Sequence, residues 1–100
     1  MLTITTEKNN GTLNVALNGR LDSATADQFE KEVNEHPDGV TELIIDCASL
    51  EYISSAGLRV FLTACKDVSE RGYHEIRNCN ENVQGVFRIT KLTNLLNVVQ

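Results

Sequence analysis

Leu58, Phe61, Leu62, Cys65 and Val68 recur at helical spacing, while Arg59, Lys66, Asp67 and Glu70 fall mainly off that stripe. A helix with one apolar face must bury that face against another element. Upstream, Leu43-Ile44-Ile45 is a short unbroken apolar run. That is the pattern of a strand covered on both faces within a parallel sheet. Downstream, residues 73–79 read as a further strand, with Tyr73, Glu75, Arg77 and Cys79 on one side and His74, Ile76 and Asn78 on the other. Strand, helix and strand in this order predict a right-handed parallel crossover. Residues 46–53 read as a strand end and loop. Ser54 or Ser55 then begins the helix, and Gly72 is its expected C-cap.

The flanks add the remaining elements. Leu2, Ile4 and Thr6 alternate with other residues, as do Leu13, Val15 and Leu17, the period of half-buried strands. Asn10-Gly11 between them tolerates the positive φ angles of a tight hairpin. Asn18-Gly19 reads as a second turn. Asp22, Ser23 and Thr25 offer N-cap side chains, and Thr25-Ala26-Asp27-Gln28 fits a capping box. Ala26, Phe29 and Val33 share one face of the helix that follows, with Asp27, Glu30, Glu32 and Glu35 on its wet side. His36-Pro37-Asp38-Gly39 is its expected stop. Asn80 can cap a third helix carrying Val83, Val86, Phe87 and Thr90. Leu95, Leu96, Val98 and Val99 close the chain as a short strand or packed tail. The expected fold is α/β, in the order β-β-α-β-α-β-α-(β). A small mixed sheet, opened by an N-terminal hairpin, is covered by helices and forms one domain over residues 1–100.

Charge narrows the function. Nine Lys and Arg against fourteen Asp and Glu leave a net charge of −5. Affinity for nucleic acid rests largely on cations that neutralise phosphates, so neither nucleic acid nor an anionic membrane face is an expected partner. No apolar stretch is long enough to span a bilayer, and the first residues lack a secretion-signal pattern, so the expected location is the cytoplasm. Cys47, Cys65 and Cys79 are far apart and odd in number, which fits reduced, buried thiols better than a disulfide framework. Neither His36 nor His74 is spaced with them as a zinc ligand would be. No nucleophile-and-base set, phosphate loop or dinucleotide fingerprint is present, so no catalysis, metal or cofactor is expected.

The one local feature of chemical interest is Tyr52-Ile53-Ser54-Ser55-Ala56-Gly57-Leu58, which joins a buried strand to the start of the amphipathic helix. In open α/β sheets, binding occurs beyond the carboxyl ends of strands. A helix N-terminus offers unpaired N–H groups and a positive dipole end. A serine there can carry a phosphate, and the small residues beside it leave the backbone approachable. The structural alternative is that Ser54 or Ser55 caps the helix and Gly57 permits close packing.

The stretch Ile44-Ile45-Asp46-Cys47-Ala48-Ser49-Leu50-Glu51-Tyr52-Ile53-Ser54-Ser55-Ala56-Gly57-Leu58-Arg59-Val60 resembles the signature segment of STAS domains of the anti-sigma factor antagonist family. Gly19-Arg20-Leu21-Asp22-Ser23-Ala24-Thr25 resembles that family's second landmark, G-x-L-D-x-x-T. The element order agrees over the whole chain. The resemblance implies a protein that binds an anti-sigma factor, often an ATP-dependent serine kinase, and so frees a sigma factor. It implies that the kinase ends binding by phosphorylating Ser55 and that a serine phosphatase resets the switch. The motif's second Ser or Thr becomes Ala56, and its Asp becomes Ser54, which is itself an alternative acceptor. Asp22, Ser54, Ser55, Ala56, Gly57 and Arg59 are the implied partner-binding set. Asp22 can equally be a cap of the first helix. A rival expectation is an interaction scaffold of the same fold, belonging to a larger signalling or transport assembly, that is never phosphorylated.

Overall fold

In this computed structural model, which describes residues 2–34, 40–70, 72–91 and 96–99, the chain opens with the expected hairpin. Strand β1 (Leu2–Asn9) pairs antiparallel with β2 (Thr12–Leu21), and Asn9 sits opposite Thr12. Asn10 and Gly11 between them hold φ of 49° and 93°, the left-handed conformation that a two-residue turn demands. Next come α1 (Ala26–Asn34), β3 (Glu42–Ile53), α2 (Ser55–Ser69), β4 (Tyr73–Arg77), α3 (Glu81–Ile89) and β5 (Val98–Val99). The sheet order is β1-β2-β3-β4-β5, and every pairing after the hairpin is parallel.

One face of the sheet carries the core. Leu13, Val15 and Leu17 from β2, Leu43, Ile45 and Cys47 from β3, and Ile76 from β4 are fully buried there. The three helices cover them, and each contributes one phenylalanine. The Phe29 and Phe61 rings lie 5.1 Å apart, and those of Phe61 and Phe87 5.8 Å apart at 76°. Such tilted and edge-on pairs add about 0.5–1.5 kcal/mol beyond simple burial. The other face is left to the strands themselves, with Thr3, Thr5, Asn14, Ala16 and Asn18 exposed on it. Ile44 points to that side and is buried, yet stands outside the main core cluster.

Several local expectations need correction. Asn18-Gly19 is not a turn: β2 runs on to Leu21, Gly19 takes φ 114°, and the parallel register with β3 shifts there. Residues 46–53 are not a loop either, because β3 continues to Ile53. Register steps from Ala16/Asp46 to Asn18/Ser49, and from Gly19/Leu50 to Arg20/Tyr52, each put one extra residue into β3. These are β-bulges. They leave Cys47, Leu50 and Ile53 buried at a spacing of three, which no simple strand pattern matches.

The capping box is also not used. Thr25 Oγ1 accepts from the Asp22 N–H and donates to the Arg20 carbonyl, while Gln28 Nε2 reaches the Leu2 carbonyl. Helix α2 closes at Glu70, not Gly72. A Cβ on Gly72 would lie 2.0 Å from the Thr41 carbonyl oxygen, so glycine is required there for close backbone approach. Strand β4 stops at Arg77. Asn78 then takes φ 61°, which breaks the alternation and turns Cys79 inward.

Asn80 caps α3 as expected, accepting from the Val83 N–H at 2.9 Å. His74 is buried, and its Nε2 accepts from the Asn97 N–H at 2.8 Å. Burial pushes its pKa down, so the ring sits neutral between Ser69 and Asn97. Cys47, Cys65 and Cys79 are all reduced and buried. The expected helix stop at residues 36–39, together with Glu35 and Leu95, lies outside the described residues.

Candidate functional site

The last residues of β2 and β3 meet beside the first turn of α2. Leu21 pairs with Ile53, and the Ser54 N–H donates to the Leu21 carbonyl at 2.8 Å. That bond fixes where α2 starts relative to the loop that begins at Asp22. Ser54 has extended backbone angles, and its hydroxyl accepts from the Gly57 N–H at 3.3 Å. It is therefore the N-cap, and the choice left open between the two serines is settled locally. Ser55 is the first helical residue and is exposed. Among the described residues its hydroxyl makes no hydrogen bond. Ala56 is half-buried against the core.

Gly57 turns inward. A Cβ there would stand 2.7 Å from Leu21 Cγ and 3.2 Å from Ile53 Cγ1. Its missing side chain is what lets α2 begin so close to the ends of two strands. Arg59 is exposed one turn beyond Ser55, on the same helical face. No acidic residue lies in the first turn of α2, so the helix itself brings no carboxylate to its positive end.

Asp22 is half-buried at the neighbouring loop. Its Oδ1 accepts from the Ala24 N–H at 3.0 Å and the Thr25 N–H at 3.2 Å. Burial works to raise the carboxyl pKa, but hydrogen bonds from Thr25 and the Ala24 N–H outweigh it and hold the group ionised below its ordinary value. The carboxylate thus shapes the chain ahead of α1, the capping alternative, while standing next to Leu21 and so next to Ser54.

Sequence reasoning did not bring Arg20 and Tyr52 together. They face each other across β2 and β3, with the Arg20 guanidinium 4.3 Å from the Tyr52 ring centroid and Tyr52 41% exposed. A cation over an aromatic face at that distance contributes about 0.5–1 kcal/mol at an exposed position. The contact is invisible in the sequence because the bulges in β3 decide which residue meets Arg20. Among the described residues no three His, Cys, Asp or Glu side chains converge as metal ligands. No helix there is long and apolar enough to cross a membrane.

The STAS-domain family profile matches residues 3–100. The chain belongs to the STAS domain family. A relative 36% identical over 89 residues is BtrV of Bordetella bronchiseptica, named as an anti-sigma factor antagonist; the match spans 87% of this chain and 77% of the relative. RsfB of Mycobacterium tuberculosis, an anti-sigma-F factor antagonist, is 27% identical over 70 residues, which is 69% of this chain and 57% of RsfB. Solved structures give the same fold. An anti-sigma factor antagonist from Mycobacterium paratuberculosis superposes with a TM-score of 0.89 at 19% identity, over 98% of this chain and 85% of that one. The Bacillus cell-fate determinant SpoIIAA in its phosphorylated form superposes with a TM-score of 0.76 at 19% identity, over 98% of this chain and 92% of that one. In this STAS domain the serine pair stands at the start of α2, directly after β3, the central strand of the sheet.

Proposed function

We propose that this STAS domain is an anti-sigma factor antagonist: it binds an anti-sigma factor through the surface around Asp22, Ser54, Ser55, Ala56 and Arg59, and so frees a sigma factor. The partner is a serine kinase that switches the contact off by phosphorylating Ser55, and a serine phosphatase restores it. In this reading the domain is a substrate and performs no catalysis. It works in the cytoplasm as one unit over residues 1–100. The observation that carries the proposal is the division of labour between two adjacent serines. Ser54 is committed to the cap, while Ser55 stands exposed and, among the described residues, its hydroxyl is unengaged. The names of BtrV and RsfB support the partner class. The phosphorylated form of SpoIIAA supports a phosphate on this fold.

The switch follows from charge. A phosphate adds about −1.5 to −2 charges at neutral pH. At the N-terminus of α2 the dipole tolerates it, so the fold persists. At an interface the dianion must shed water and make room, and a penalty of about 3 kcal/mol weakens binding by more than about a hundredfold. The test is capture of partners from the native lysate with wild type, Ser55→Ala and Ser55→Asp as baits. Wild type and Ser55→Ala should retain an ATP-binding anti-sigma factor that Ser55→Asp loses.

One observation favours a second reading. Ser54 stands where the family motif has Asp, and it is used as a cap. If all three baits hold the same partner, the domain is a constitutive scaffold.

A further inference from the structure

A histidine and an asparagine fasten the C-terminal segment to the sheet. They meet at the C-terminal end of α2, the far end of that helix from Ser55. His74 is the second residue of β4 and is 9% exposed. Its Nε2 accepts from the Asn97 N–H at 2.8 Å, and its Nδ1 pairs with the Ser69 hydroxyl. An imidazole nitrogen that accepts carries no proton, so the neutral ring holds its hydrogen on Nδ1 and donates it to Ser69. Asn97 completes the clamp. Its Nδ2 donates to the His74 carbonyl at 3.2 Å and to the Tyr73 hydroxyl at 3.0 Å, and its own carbonyl accepts from the Ile76 N–H at 2.9 Å. Beyond Asn97, β5 adds only the Ile76–Val98 and Arg77–Val99 pairs, while Leu96 just before it is buried in the core.

We infer that His74 is a pH-operated latch: a proton on Nε2 replaces the acceptor that holds Asn97 with a second donor, and residues 96–99 come away from the edge of β4. Two N–H groups then face each other, and a buried cation is left with only the Ser69 hydroxyl to accept from it. Among the described residues no charged side chain lies against the ring. Helix α2 turns Ser69 to it, with the Cys65 thiol one turn earlier; burial pushes that thiol up to about 12 and keeps it neutral. Lys66, Asp67 and Glu70 of the same helix are exposed. Strand β3 places Leu43 beside His74, and the terminal segment brings Asn97. Tyr73, Glu75 and Arg77 alternate onto the other face of β4. With no charge beside it, burial holds the His74 pKa below its ordinary value of 6.5. Glu75 reaches the clamp through the Tyr73 hydroxyl, but Arg77 and Tyr73 hold its carboxyl below the usual range, so it stays ionised while His74 titrates. A freed ring takes its proton near about 6.5. The latch is therefore fully set above that pH and weakens below it, by up to about tenfold per pH unit, until the latched ring itself titrates. None of this depends on the proposed function.

The test is an NMR titration of the full chain between about pH 8 and about pH 5, the range in which histidine changes charge. Imidazole nitrogen shifts read the tautomer and titration of His74, and amide exchange, corrected for intrinsic rates, reads protection residue by residue. The expected result is a hydrogen on Nδ1 at the alkaline end. Below about 6.5, protection at Ile76 and Asn97 should fall by up to about tenfold per pH unit, while β2 and β3 keep theirs. His74→Gln, whose Oε1 accepts from the Asn97 N–H without titrating, should hold the segment at both ends of the range. His74→Phe, with no acceptor, should leave it unprotected at both. A hydrogen on Nε2 at the alkaline end, a His74 titration that leaves Ile76 and Asn97 protected, the same pH step in His74→Gln, or protection lost together across β2 and β3 would each overturn it.

Discussion

Helices α2 and α3 begin at the same end of the sheet, each directly after a parallel strand, and each is capped by a short polar side chain. Ser54 accepts from the Gly57 N–H, and Asn80 accepts from the Val83 N–H. Beyond the cap they differ. Helix α3 carries Glu81 in its first turn, which complements the positive end of its dipole. Helix α2 has Ser55, Ala56 and Gly57 there and no acid at all. Gly57 is wedged against Leu21 and Ile53, whereas a Cβ on Gly85 of α3 would meet nothing within 4 Å. The cap alone therefore does not distinguish the two helices. What sets α2 apart is a first turn that is tightly seated, uncharged and led by an exposed serine.

The comparison can be broken most directly through binding. Ser55→Asp should weaken the anti-sigma factor by up to about a hundredfold, a loss approaching 3 kcal/mol, in a calorimetric titration. Asn82→Asp, which adds the same charge to α3, should leave affinity unchanged; equal losses in both would remove the special place of α2. Next come the glycines. Gly57→Ala should cost about 1–3 kcal/mol in urea unfolding, because Leu21 has little room to move. Gly85→Ala should gain up to about 1 kcal/mol from helix propensity alone. Two changes of the same sign would contradict the packing described here.

The caps sharpen the contrast further. Ser54→Ala and Asn80→Ala should each cost about 0.5–2 kcal/mol. Asn80→Ala should cost more, because its side chain also holds the Leu50 carbonyl. The smallest effects concern the dipoles. Ser55→Asp should raise stability by about 0.3–1 kcal/mol and Glu81→Gln should lower it by a similar amount, both fading as salt is added. A destabilised Ser55→Asp would mean that its binding defect reflects the fold.

The hairpin turn, the apolar stripe of α2 and the Asn80 cap were legible in the sequence because each depends on residues a few positions apart. The serine pair was legible as a candidate site for the same reason. Which of the two serines caps the helix was not. It depends on the Ser54 N–H reaching Leu21, thirty-three positions back. Bulges hid the second half of β3. They replace the two-residue period with buried positions at 47, 50 and 53, and they also set the Arg20–Tyr52 stack. Gly19 was misread because a left-handed glycine serves a bulge as readily as a turn. The capping box failed because the Thr25 hydroxyl is already engaged, donating to the Arg20 carbonyl and accepting from the Asp22 N–H.

The most direct measurement is site mapping by mass spectrometry after incubating the domain with ATP and the serine kinase proposed as its partner. The account predicts one phosphate, on Ser55, retained in Ser54→Ala and lost in Ser55→Ala. A phosphate on Ser54, or none on either serine while the kinase binds, would contradict it.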